Sequence, residues 1–161
     1  MRVGIGYDIH RLTKGRKLVL GGVTVPFKLG LLGHSDGDVL RHAVVDAALG
    51  AAGLGDIGEH FSDSDPRNQG RNSVDFVKKT RALLAKMGLA VAQIDTVLIL
   101  ERPKLSPYKK KMKQGLSKDW GVPLSRVNVK AKTHEGLGVL GRGLGIACHA
   151  VVMLEDKKGK R

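Results

Sequence analysis

Aromatic residues and cysteine are both scarce in this sequence. It has three Phe, two Tyr and one Trp, so Val, Leu, Ile and Ala must fill the core. The single cysteine, Cys148, excludes an intrachain disulfide and fits a reducing compartment. It lies in the apolar run Gly145-Ile146-Ala147-Cys148-His149-Ala150-Val151-Val152, where a thiol acts as a small core side chain. No stretch approaches the ~20 apolar residues a membrane helix needs. The first residues carry no apolar segment ending in a cleavage site. Neither a membrane span nor a secretory signal is expected, and the expected location is the cytoplasm.

Negative charge is also in short supply. Fifteen Asp and Glu stand against 28 Lys and Arg, for a formal net charge of +13. Much of the excess sits in Lys109-Lys110-Lys111-Met112-Lys113 and in the tail Lys157-Lys158-Gly159-Lys160-Arg161. Such clusters suit nucleic acid or an anionic substrate. No aromatics are interleaved with these lysines to stack bases, so they read as a solvated helix face and a frayed tail. The length suits one domain, spanning residues 1–156, with 157–161 as the basic tail.

Hydrophobic periodicity places the elements. Val3, Ile5, Tyr7 and Ile9 alternate with Gly4, Gly6, Asp8 and His10, which predicts a strand. Residues 17–20 and 23–27 flank Gly21-Gly22 as a hairpin. Residues 38–49 are apolar at helical spacing, and Ser35 with Asp38 resembles a capping box. A long polar loop over 53–71 has the length of a functional one. A helix follows over 72–87, stopped by Gly88. Residues 91–100 form a strand, 108–119 a basic helix, 127–131 a strand and 133–143 a glycine-rich loop. The apolar segment 145–154 is expected to be a central strand. Strands alternate with helices, so the expected class is α/β (α+β), one layer of sheet with helices packed on it.

Five constellations carry chemistry. Asp8 and His10 share one face of a strand; such a pair can grip an ion or simply face solvent. Asp38, His42 and Asp46 stack at one-turn intervals on an otherwise apolar helix, a costly pattern to bury without a purpose. Asp8, His10 and His42 together make the two-histidine, one-carboxylate set of a catalytic zinc site with one open position. Asp38 or Asp46 could hold the far nitrogen of a ligating histidine. Gly33-His34-Ser35-Asp36-Gly37 precedes the helix, as an anion-binding turn or an ordinary cap. Gly55-Asp56-Ile57-Gly58 through Phe61-Ser62-Asp63-Ser64-Asp65-Pro66 could bind sugar hydroxyls or a hard cation, or be a solvated turn. Lys130-Ala131-Lys132-Thr133-His134-Glu135-Gly136, followed by Gly138-Val139-Leu140-Gly141-Arg142-Gly143, suits a diphosphate with a cation, or a basic hairpin loop.

Together with Glu101-Arg102-Pro103-Lys104, these segments resemble, in order and over nearly the whole chain, the 2-C-methyl-D-erythritol 2,4-cyclodiphosphate synthase family of the non-mevalonate isoprenoid pathway. The resemblance implies a four-stranded mixed sheet with helices on one face, assembled as a homotrimer with active sites between subunits. It implies Zn²⁺ on Asp8, His10 and His42, and Mg²⁺ or Mn²⁺ on Glu135. The implied substrate is 4-diphosphocytidyl-2-C-methyl-D-erythritol 2-phosphate, contacted by Asp8, Ile9 and His10, by His34 and Ser35, and by Asp46. Asp56, Ile57 and Gly58 would meet hydroxyls, and Phe61, Ser62, Asp63, Ser64 and Asp65 the neighbouring part. Leu100, Glu101, Arg102, Pro103, Lys104, Leu105 and Ser106 would hold cytosine. Ala131, Lys132, Thr133, His134 and Glu135 would take the diphosphate, with His34 and Thr133 stabilising the transition state. Val139, smaller than the aromatic residue many members carry there, and Arg142 would line a cavity on the trimer axis that accepts an isoprenoid diphosphate. His134 stands where a small hydroxyl residue is common.

Two other functions compete with this one. A basic nucleic-acid-binding module would use the positive charge, but the acidic residues gathered in the motif loops would repel phosphates. A zinc-dependent nucleotide phosphohydrolase would use water as nucleophile and give open products rather than a ring.

Overall fold

The computed structural model describes residues 1–62 and 70–157. Strand β1, Arg2–Thr13, leads into a hairpin of β2, Leu18–Leu20, and β3, Val23–Val25. Gly21 and Gly22 both take positive φ between the hairpin strands, 59° and 76°, the conformation a tight two-residue hairpin needs. The chain continues through β4, Gly30–Leu31, helix α1, Val39–Ala52, and helix α2, Ile57–His60. Helix α3, Ser73–Lys86, strand β5, Leu89–Ile99, and helix α4, Lys109–Trp120, follow. Strand β6, Val127–Lys132, helix α5, Gly138–Gly141, and strand β7, Gly145–Asp156, complete it.

The main sheet has five strands in the order β4-β1-β7-β5-β6, and β2 pairs with β3 in a separate ribbon. This corrects the expected four strands. The extra one, β4, pairs through only two residues, Leu12 with Leu31 and Thr13 with Gly30; Gly30 and Leu31 are too short a segment for any periodic signal. The sheet is mixed: β7 is antiparallel to both β1 and β5, while β5 and β6 run parallel. Strand β7 is third of five, so its long apolar run is central, as expected. Two expected loops each contain one helical turn, α2 within 53–71 and α5 within 133–143. Asp63, Ser64 and Asp65 lie outside the described residues.

Helix α1 lies across β1 and β7, with all but two of its side chains buried. The glycines of β1 make this approach possible. A Cβ at Gly4 would meet the Ala47 carbonyl oxygen at 2.1 Å, and one at Gly6 the Ala43 oxygen at 2.0 Å. Only glycine lets strand and helix backbones come this close. The face of β1 that carries Asp8 and His10 is thereby turned to α1. Its other face leaves Val3 (67%), Ile5 (72%), Tyr7 (48%) and Ile9 (43%) exposed, beside Val151 (44%).

Candidate metal centre and cleft

The helix α1 face and the β1 face meet at three ligand atoms. Asp8 Oδ2 lies 2.9 Å from His10 Nε2 and 3.0 Å from His42 Nδ1, and the two ring nitrogens are 3.1 Å apart. Ligands on a tetrahedral zinc with bonds of about 2.0 Å would stand about 3.3 Å apart. Among the described residues this is the only cluster of three or more His, Cys, Asp or Glu placed to hold a metal.

Hydrogen bonding decides what these atoms offer. His10 Nδ1 donates to the Leu32 carbonyl at 2.7 Å, which leaves Nε2 as a lone pair. The far nitrogen of His42, Nε2, lies 2.8 Å from Ser73 Oγ and 3.2 Å from Ser35 Oγ. The Ile9 amide donates to Asp8 Oδ1 at 2.9 Å, leaving Oδ2 for the imidazoles. A carboxylate oxygen and two imidazole nitrogens therefore converge on one point, and a proton or a cation must lie among them. Burial works against the charge on Asp8, but when a ring proton fills that point the bonds and charge of His10 and His42 outweigh it, and the carboxyl is then held well below the usual range. A metal ligand has to be deprotonated in this way.

The expected support for His42 is corrected here. Neither Asp38 nor Asp46 bonds its far nitrogen; Ser73 and Ser35 do. Asp38 is instead fully buried as the N-cap of α1, accepting from the Arg41 amide at 3.2 Å and from the Gly21 and Gly22 amides at 2.8 Å each. Burial raises its pKa, against the charge of Arg41 and the amide bonds. It replaces the expected Ser35 capping box, because Ser35 Oγ turns back to accept from the Gly37 amide. Asp46 accepts from the Ile57 amide at 3.1 Å and so ties α1 to the α2 turn. Burial raises its pKa, as do the charges of Asp56 and Asp8. Asp56 caps α2, accepting from the Glu59 amide at 3.0 Å.

A cleft of about 830 Å³ opens over the three ligands. His34 and Ser35 border it on one side, and Ile57, Gly58 and Phe61 on another. Arg16, which no motif signalled, also lines it, and donates to the Gly33 and Ser35 carbonyls on either side of His34. Ile9 points its side chain to the opposite face of the sheet.

The other expected site residues stand elsewhere. Residues 100–106 and 131–135 meet at the end of the parallel pair β5 and β6, where the Leu100 amide donates to the Lys132 carbonyl at 3.0 Å. Leu100 and Leu105 are buried in the core. Glu101 Oε1 accepts from the His134 amide at 2.7 Å and the Gly136 amide at 3.4 Å. Between these two amides lies Glu135, which has the positive φ of 50° that non-glycine residues seldom adopt. Thr133 Oγ1 donates to Glu135 Oε1 at 2.7 Å. Arg102, Lys104, Lys132, Val139 and Arg142 are exposed. Among the described residues, none from 100–106 or 131–135 lines the cleft. Strands β1 and β6 are separated by β7 and β5, three strand spacings or about 14 Å.

A half-buried carboxylate and two oriented imidazoles under an open cleft form the kind of centre that holds a divalent cation beside a ligand. The chain belongs to the YgbB family, whose pattern it matches over residues 1–155. It is 53% identical over 156 residues to the 2-C-methyl-D-erythritol 2,4-cyclodiphosphate synthase of Gloeobacter violaceus, covering 97% of this chain and 96% of that one. Against the enzyme of the same name from Burkholderia thailandensis, identity is 51%, with 95% and 94% covered. A solved structure of 2C-methyl-D-erythritol-2,4-cyclodiphosphate synthase in a CDP-bound form superposes with a TM-score of 0.88 at 42% identity, covering 96% of this chain and all (100%) of that one. The bifunctional IspDF of Campylobacter jejuni gives 0.92 at 39% identity; the match covers 96% of this chain and 42% of that longer one.

Proposed function

We propose that this protein converts 4-diphosphocytidyl-2-C-methyl-D-erythritol 2-phosphate into 2-C-methyl-D-erythritol 2,4-cyclodiphosphate and CMP. The observation that carries the reading is the convergence of Asp8, His10 and His42 beneath the cleft bordered by His34. The name of the relatives supports it.

The donor set fits Zn²⁺, since two neutral imidazoles and one carboxylate leave a fourth position open. Glu135, bonded by Thr133, would hold Mg²⁺ or Mn²⁺. Cations held by these residues would supply polarisation of phosphoryl oxygens and would offset repulsion between anionic groups. In the reaction an oxygen of the 2-phosphate bonds to the β-phosphorus as the bond from that phosphorus to CMP breaks. Both reacting groups lie in one molecule, so the protein's task is to fold and align them. His34 and Ser35, held by Arg16, face the phosphate end. Asp56, Ile57, Gly58 and Phe61 pack the sugar, residues 100–106 hold cytosine, and Lys132 and Thr133 bind the diphosphate.

The three strand spacings between β1 and β6, about 14 Å, support a site shared between copies. The exposed Val3, Ile5, Tyr7, Ile9 and Val151 supply an apolar sheet face for that association. We read the assembly as a homotrimer, with Val139 and Arg142 near its axis beside a cavity for an isoprenoid diphosphate.

Incubation of the protein with this substrate, Zn²⁺ and Mg²⁺, followed by phosphorus NMR, tests the reading, with H42A as control. Cyclic diphosphate and CMP from the wild type, absent with H42A, are expected. An open monophosphate would instead identify a hydrolase. No turnover by folded, metal-loaded protein would end the enzyme reading.

A further inference from the structure

Behind His42, on the side away from Asp8, lies a chain of hydrogen bonds that no motif announced. Ser73 is the first residue of α3 and is fully buried. Its hydroxyl donates to Asp36 Oδ1, and its amide donates to Asp36 Oδ2 at 3.1 Å. Asp36 thus grips Ser73 with both carboxylate oxygens. Asp36 is itself fixed, because its own amide donates to the Arg71 carbonyl at 3.1 Å and its Oδ1 accepts from the Asp38 amide at 3.2 Å.

A serine hydroxyl has one proton. Ser73 gives that proton to Asp36, so it presents only a lone pair to His42 Nε2, 2.8 Å away. His42 must then carry its proton on Nε2 and leave Nδ1 bare, facing Asp8 Oδ2 and His10 Nε2. We propose that Asp36 and Ser73 are positioning residues that fix the tautomer and ring orientation of His42, and so set the affinity of the metal centre. Partners of this kind commonly shift metal affinity 10–100-fold. The arrangement also joins two parts of the site. Asp36 lies between His34 and Asp38 in one turn, so the loop that presents His34 to the cleft is bonded through Ser73 to a metal ligand. This inference rests on the reading of Asp8, His10 and His42 as a zinc site.

The test is zinc affinity, measured by competition with a chelating dye on the full chain, for S73A, D36N and S35A. S73A keeps the amide that Asp36 grips and leaves the helix cap on Asn72 in place, so the fold is retained. Thermal denaturation of each metal-free variant checks this. S73A is expected to bind zinc about 10–100-fold more weakly than the wild type. D36N keeps a carbonyl acceptor for Ser73 and should lose only part of that. S35A, whose oxygen is engaged by the Gly37 amide, should change affinity about threefold at most. In zinc-loaded wild type the His42 Nε2 proton should give a slowly exchanging NMR signal that S73A loses. Zinc affinity of S73A within about twofold of wild type would overturn the inference. So would a loss matched by equal destabilisation of the metal-free protein. Retention of zinc by H42A would overturn the metal reading itself, which no result on S73A alone can do.

Discussion

Asp8, His10 and His42 stand on a strand and a helix that share one core, and both imidazoles are bonded on the far side to a second part of the chain. Lys132 ends β6, and Thr133 and Glu135 stand on the exposed turn that follows, tied to the end of β5 by Glu101. In the first group an error in one side chain is resisted by Leu32, Ser73, Ser35 and the Ile9 amide. In the second, one side chain, Glu101, accepts from the backbone on both sides of a residue with positive φ. The contrast suits the chemistry proposed for each. A metal site needs its lone pairs placed closely and dehydrated, whereas a turn that binds a flexible diphosphate gains from access to solvent and substrate.

The separation of the two groups can be broken most sharply by mixing variants. H42A and T133A should each lose activity by orders of magnitude, since each would disable one half of the proposed shared site. Co-refolded in equal amounts, they should recover about one quarter of wild-type activity, because about a quarter of interfaces in a random ring pair two intact halves. No recovery, with both variants folded and associated, would mean that each chain carries a complete site.

Asp38 tests how far the metal side behaves as one unit. D38A removes a helix cap and leaves the Gly21 and Gly22 amides without an acceptor. Loss of about 3–5 kcal/mol is expected, read by urea denaturation. A loss under about 1 kcal/mol would show that the hairpin and α1 are held mainly by packing.

The phosphate side should respond differently to the loss of Glu101. E101A removes a charged acceptor for two amides, an interaction of about 1.5–3 kcal/mol. With each 1.36 kcal/mol worth tenfold, kcat/KM should fall about 10–100-fold while zinc content stays at wild type. E101Q, which keeps a carbonyl oxygen, should recover most of it. Zinc loss in E101A would show that the two sides are not independent.

The smallest effect is expected at Cys148, which pairs with Asp8 across the sheet. Burial, and then the charges of Asp38 and Asp8, push its thiol far above the ordinary range. A raised thiol pKa removes the reactive thiolate at working pH. Native protein should therefore resist alkylation at pH 8, and label only on unfolding; rapid labelling of folded protein would show that the core around Asp8 opens.

Much of this was legible before any coordinates. The 145–154 run declared a central strand because it is long and apolar apart from His149. The spacing of Asp8 with His10, and of His42 on an apolar helix, marked the metal set because period two and period 3.6 each place such residues on one face. What periodicity cannot report is which face turns inward. The alternation in β1 put Val3, Ile5, Tyr7 and Ile9 on one side and the glycines with Asp8 and His10 on the other. The inward side proved to be the glycine side, because α1 needs backbone contact there. The role of Asp38 was misread for a related reason, since its partners Gly21 and Gly22 come from a hairpin distant in sequence.

By itself, then, the sequence determined the longer elements, the three candidate ligands and the family, because these follow from local periodicity and from residue types in a fixed order. Tertiary structure alone decided that Ser73 and Asp36, rather than Asp38 or Asp46, back His42, that Arg16 braces the His34 loop, and that the two groups of site residues stand strands apart. Those facts depend on hydrogen bonds between side chains far apart along the chain, and no local pattern encodes a bond whose partner is chosen by folding.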